Sequence, residues 1–261
     1  MSLSFRSVLI AAFLASAAAA SACLNSFEEM ERLEEQANPD GVALRDSLIH
    51  VKWKARWDVM RDVLYKRVVK DPTVENLNDY AVALCHTGDP LGAIKILLRI
   101  ESEHPKGYRT ASNLGTAYEL AGNNDLALRW IAEGIRRNPD SHEGSEWIHV
   151  AILQAKVQIA KNPKWLDDHD VLGLKFGEEE HPRMPFVLPT GVNGKSLNIH
   201  DIQNALQHQL HERLQFTSAP DAVASQLIHD FADLVYLNSK PEVAQKNTYL
   251  LYALARTYAA K

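Results

Sequence analysis

Apolar residues recur at helical spacing along most of this chain, and the breaks between them fall at a fixed interval. Within 74–87, Leu77, Tyr80, Ala81 and Leu84 share one helical face. Gly88 ends that helix, and Asp89 precedes a second apolar set, Ala93, Ile96, Leu97 and Ile100. Pro105 closes the unit, because proline cannot continue a helix interior. A shift of 34 residues carries Ala81 onto Gly115, Leu84 onto Tyr118, Gly88 onto Gly122, Ala93 onto Ala127, Leu97 onto Ile131 and Pro105 onto Pro139. A match at that period predicts two helical hairpins of the same kind, 74–107 and 108–141. The small residues Ala81, Gly115, Ala93 and Ala127 let the two helices of each hairpin approach closely.

The flanking pattern extends the helical reading. Trp53, Trp57, Met60, Leu64 and Val68 form one stripe within 42–70, read here as a cap on the N-terminal end, since two repeats alone leave hydrophobic ends uncovered. Trp147, Ile148, Ala151, Ile152, Ala155 and Ile159 predict a helix over 143–160 that begins a third period without completing it. Prolines 163, 182, 185 and 189 and glycines 173, 177, 191 and 194 forbid long regular elements in 162–198. A strand at 186–188 and a tight turn at Asn193-Gly194 remain open there. Three further helices follow, over 198–215, 218–237 and 241–260. The second opens with the capping pattern Ser218-x-x-Asp221. The expected fold is all-α: stacked hairpins over 42–160, an irregular Pro/Gly-rich insert, and a helical C-terminal region over 199–261.

Leu114, Gly115 and Tyr118, followed by Ala127, Ile131 and Pro139, resemble a tetratricopeptide repeat; Tyr80, Ala81, Leu84, Ala93, Leu97 and Pro105 resemble it slightly less closely. Leu77 and Ala111 stand where that family often has tryptophan, and Ile131 where it often has phenylalanine. The resemblance implies an α-solenoid whose first helices line a concave surface that grips a protein or peptide. Carried over position by position, the inward residues are Glu75, Asn78, Val82 and His86 from the first unit, and Arg109, Ser112, Thr116 and Glu119 from the second. Asn78 and Val82 occupy places where some chaperone-binding members carry carboxylate-clamping lysines, and only Asn113 matches that clamp. Whether a partner or the chain's own C-terminal segment fills the surface is left open by the sequence.

Composition narrows the classes. With 28 basic and 33 acidic residues and a net charge of −5, nothing favours nucleic acid. Residues 1–6 with Arg6, an apolar run at 8–15 and small residues at 17–22 have the form of a secretory signal. Ala20-Ser21-Ala22-Cys23 reads either as an ordinary cleavage site or as a bacterial lipoprotein signal in which Cys23 is lipidated; it resembles the latter apart from Ala20, where leucine is usual. Leu24 resembles the pattern of lipoproteins sorted to an outer membrane. The expectation is an exported protein of the bacterial periplasm or outer membrane, touching the membrane only through that anchor. Cys85, the one other cysteine, reads as a small packing residue.

Catalytic signals are weak. Pro189 to Ser196 lacks the first glycine of a phosphate-binding loop, and no strand feeds it. Asp167-Asp168-His169-Asp170, Glu178-Glu179-Glu180-His181 and His208-x-x-His211-Glu212 hold metal-ligand types, but not at a zincin spacing. No nucleophile elbow or redox cysteine pair accompanies them. The expected function is therefore a non-catalytic interaction scaffold of the cell envelope without a cofactor. The alternative is a metal-dependent enzyme or ligand-binding module built on 162–214 and supported by the repeats.

Overall fold

A computed structural model describes residues 53–177, 181–239 and 241–259. The leader, Cys23 and the start of the helix expected from residue 42 lie outside the described residues. Those described form an all-α fold of ten helices that pack in adjacent pairs along the chain, with the irregular segment between α7 and α8. They are α1 (Trp53–Lys70), α2 (Val74–His86), α3 (Pro90–Glu103), α4 (Tyr108–Leu120), α5 (Asn124–Arg137), α6 (Glu146–Lys161), α7 (Trp165–Asp168), α8 (Ile199–Arg213), α9 (Ala222–Asn238) and α10 (Pro241–Tyr258).

Local chemistry accounts for the boundaries. Thr73, Asp89 and Asn123 accept from Asn76 N, Gly92 N and Leu126 N, capping α2, α3 and α5. Gly88 and Gly122 take φ of +88° and +80° just past α2 and α4, a left-handed turn that a Cβ disfavours. Within the second hairpin α4 and α5 lie so close that a Cβ on Gly115 would fall 2.5 Å from the Ile131 side chain and 3.0 Å from its backbone nitrogen. Arg137 joins the two hairpins, its guanidinium donating to Glu101 at 2.7 Å and to the Gly107 carbonyl at 2.8 Å.

Three hydrophobic cores follow one another. Trp57 and Leu64 of α1 pack with Leu77, Ala81, Leu97, Ile100 and Leu114, so α1 covers the N-terminal end as its aromatic stripe suggests. Ala127, Ile131 and Leu153 join α5 to α6. Ile148, Ile152 and Ala155, on another side of α6, belong to the third core, with Leu206 and Leu210 of α8, Leu227 and Phe231 of α9 and Leu251 of α10. The irregular segment supplies Val171, Leu172, Leu174 and Phe176 to the same core. Helix α6 thus serves both the hairpins and the C-terminal region.

Two local expectations are corrected. Residues 186–188 form no strand; only an isolated bridge, Thr190 to Ser196, closes around a tight turn in which Asn193 and Gly194 have φ of 58° and 74°. Helix α9 is capped by Asp221, which accepts from Ala224 N, and not by Ser218. Pro220 explains the shift, because the residue before a proline is pushed out of the helical region, so the cap passes to the next suitable side chain.

Candidate functional site

The residues expected on the concave surface are largely consumed by internal contacts. Asn78 Nδ2 donates to Thr110 Oγ1 at 3.2 Å, and Asn78 Oδ1 accepts from Asn113 Nδ2 at 3.2 Å, tying α2 to α4. Val82, Ser112 and Thr116 are fully buried. Arg109 donates to Asp79 Oδ1 at 3.1 Å. His86 lies stacked on Trp57, with ring centroids 4.0 Å apart, and meets Phe216 edge-on at 6.4 Å. Only Glu75 of the eight is exposed. The groove holds the protein's own segment 213–216: the Phe216 ring packs against the N-terminal core beneath the Arg213 guanidinium, and Arg213 reaches Glu119.

Glu119 is where that segment enters a buried ionic chain. Arg213 Nη1 and Lys156 Nζ each donate to its Oε1 at 2.7 Å, while His149 Nε2 lies 2.8 Å from Oε2. His149 Nδ1 lies 3.6 Å from Glu146 Oε2, and Glu146 Oε1 lies 3.3 Å from His142 Nε2. His142 Nδ1 is 3.2 Å from Glu212 Oε2, whose other oxygen is 3.1 Å from His208 Nε2. Imidazole and carboxylate alternate from α8 to α4, and every member except His208 and Lys156 is at least nine-tenths buried.

The charges explain why such a chain survives burial. Three carboxylates face two fixed cations, Arg213 and Lys156, and three imidazoles, so each buried negative charge has a donor beside it. His142 and His149 each turn both ring nitrogens toward carboxylates, at 3.2 and 3.3 Å for His142 and at 2.8 and 3.6 Å for His149. Burial works to raise the Glu119 carboxyl, but Arg213, Lys156 and His149 hold it well below the usual range. Glu212 is likewise depressed against its own burial by His142 and His208.

Backbone strain marks the same place. In the short 3₁₀ segment Ser141–Gly144, His142 has φ 56° and ψ 40°, Glu143 φ 55° and ψ 27°, and Gly144 φ 75°. Left-handed conformations at non-glycine residues cost on the order of 1–3 kcal/mol each and persist where the surroundings over-determine them. Here they aim the His142 ring into the chain. On the solvent side of this turn, Glu143, Gly144 and Trp147 face Asn193, Lys195 and Asp201 across a cleft of about 390 Å³.

In chemical terms the network fastens α8 to the hairpins through Arg213 and Glu119. His142, His208 and Glu212 have ligand atoms within 4.8 Å of one another, so they could hold a metal ion. Of the acidic clusters seen in the sequence, Asp167, Asp168 and His169 are exposed, whereas Asp170 is half-buried and used in the fold. Cys85 is 5% exposed and burial pushes its thiol up to about 12. A thiol reagent near pH 8 should therefore leave Cys85 unmodified in the native protein and label it in urea. Peptide mass spectrometry reads this directly, and native labelling would contradict a packing role.

Sequence reasoning reached Glu119, His208 and Glu212 but passed over His142, Glu146, His149 and Arg213. One signal was present: Glu146, His149, Leu153 and Lys156 follow at i, i+3, i+7 and i+10, a mostly charged stripe running beside the apolar stripe of α6. Compared with known proteins, the chain matches no family model, no curated protein and no solved structure.

Proposed function

We propose that this protein is a non-catalytic interaction scaffold of a bacterial envelope, in which tetratricopeptide-like hairpins and a fused helical C-terminal region hold out a surface for a protein partner. The observation that carries this reading is the apolar stretch at 184–187. Phe186 is fully exposed, with Val187 at 74% and Met184 at 52%, on an irregular segment anchored to the third core by Val171, Leu172, Leu174 and Phe176. Adjoining exposed apolar side chains of this size mark interaction surfaces more often than ordinary surface does. The concave positions Asn78, Val82, Ser112, Thr116 and Glu119 are covered by the protein itself, so recognition is assigned to this stretch, with Glu75, His86 and Arg109 at the rim of the filled groove.

Among the described residues no helix is long and apolar enough to cross a membrane. In this reading attachment runs through lipid on Cys23, and the intact mass of the native N-terminal peptide distinguishes lipidation from simple cleavage after Ala22.

A photoreactive phenylalanine analogue placed at Phe186 should yield a saturable adduct in isolated envelopes, whereas the same analogue at exposed Arg136 should not. Glu75 serves as a third position. Adducts from Glu75 alone would return recognition to the rim of the groove, and none from either Phe186 or Glu75 would remove the scaffold reading.

A further inference from the structure

Helix α9 carries His229, Asp230 and Asp233, the first and last one turn apart on one face. One ligand-type atom from each lies within 4.8 Å of the others. Two of the three are accounted for by the fold. Asp233 Oδ1 accepts the Tyr252 hydroxyl from α10, and Asp233 Oδ2 lies 3.4 Å from His229 Nδ1.

Asp230 is not accounted for. It is 4% exposed, and its Oδ2 is buried without a hydrogen-bond partner. Burial, the largest cause, and the charges of Asp170 and Asp233 push its carboxyl well up. Asp170 is held in place on the loop after α7. Its Oδ1 accepts from Leu172 N and Leu174 N, and its Oδ2 accepts from Gln226 Nε2, one turn before Asp230. Gln226 Oε1 accepts in return from Val171 N. The fold therefore spends side-chain and backbone donors on Asp170 and Asp233 while steering a third carboxylate beside them with nothing to bind.

We propose that His229, Asp230 and Asp233 form a binding site for a first-row divalent cation, zinc or manganese, with water completing its shell. Two carboxylates and one imidazole suit such an ion better than magnesium or calcium, which prefer oxygen alone. An ion about 2.0–2.2 Å from each donor sets neighbouring donors about 3–3.5 Å apart, and His229 Nδ1 and Asp233 Oδ2 already lie 3.4 Å from one another. His229, with 59% of its side chain exposed, can swing onto the ion and opens a path for it and its waters. The Tyr252 hydroxyl on Asp233 supplies the outer-shell hydrogen bond that orients a ligating carboxylate. His142, His208 and Glu212 lie equally close together, but there Glu212 already faces His142 and His208 at 3.2 and 3.1 Å, whereas Asp230 Oδ2 makes no hydrogen bond.

The test uses the full chain, purified without a histidine tag and stripped with chelator, titrated calorimetrically with zinc chloride and separately with manganese chloride. The expected result is saturable binding of one zinc or manganese ion per chain, with a rise in thermal midpoint. Asp230→Asn and His229→Ala should each weaken binding by at least about tenfold, while His208→Ala leaves it intact. Stripped Asp230→Asn should melt no lower than stripped wild type, since without an ion the Asp230 Oδ2 makes no hydrogen bond that the amide would lose. His229→Ala, at an exposed position, keeps the test decisive if the Asp230 variant does not fold. The proposal is overturned by an absence of one-to-one binding, by binding unchanged in both α9 variants, or by binding lost in His208→Ala instead.

Discussion

Replacing Glu119 with alanine should destabilise the folded protein by about 3–5 kcal/mol, because it strands the buried Arg213 guanidinium and half of the His149 site without a counter-charge. The guanidinium is 4% exposed and cannot turn to water without withdrawing Phe216 from the N-terminal core. Urea denaturation of wild type and variant measures the difference. The double variant Glu119→Ala with Arg213→Met should recover a large part of it, since removing both charges costs less than leaving one buried. A loss below about 1 kcal/mol for the single variant would mean that the chain is solvated in ways its burial denies. The pH dependence has a definite sign. Glu119 is held below its unfolded value of about 4.3, so its contribution is complete above that pH and is lost as the pH falls toward the folded value. The gap between wild type and variant should therefore narrow on acidification below about pH 4.3.

Phe231→Ala should cost a comparable 3–5 kcal/mol, roughly the expectation for emptying the largest fully buried side chain of a core. The shape of the transition is the more informative part. Helix α6 gives Leu153 to the hairpin side and Ile148, Ile152 and Ala155 to the C-terminal core, and the Glu119–Arg213 pair crosses between them. Hairpins and C-terminal region should accordingly unfold together. Tryptophan fluorescence, with Trp57 in the first core and Trp147 and Trp165 beside the third, should trace the same urea curve as far-ultraviolet circular dichroism in both wild type and variant. Two separated transitions, with only the second moved by Phe231→Ala, would show that α6 does not couple them.

Helix positions were legible because they depend on neighbours in the chain. The run from Leu77 to Leu84, the stop at Gly88 and the apolar set that follows Asp89 are each local signals, and the 34-residue shift repeats them. Legibility failed where one local signal competed with another, as at Ser218 and Asp221, where Pro220 decided the cap. It failed again at 186–188, whose strand-like composition found no neighbouring strand to pair with and whose side chains face outward at Phe186 and Val187.

Polar residues were the least legible part. Glu119 looks from its repeat register like a surface group, and His142 sits in a stretch that reads as a loop. They become members of one buried chain only because the C-terminal end of α8 brings Arg213 to Glu119 over a separation of 94 residues. Asp230 likewise reads as one polar residue on an amphipathic helix until the loop carrying Asp170 is laid against it. The sequence by itself determined the helical class, the two matching hairpins and the glycine stops between their helices, since periodicity and turn chemistry are local. Which face is covered and which carboxylates find a cation were decided by the tertiary structure, because burial and charge pairing are set by segments far apart in the chain that meet only when it folds.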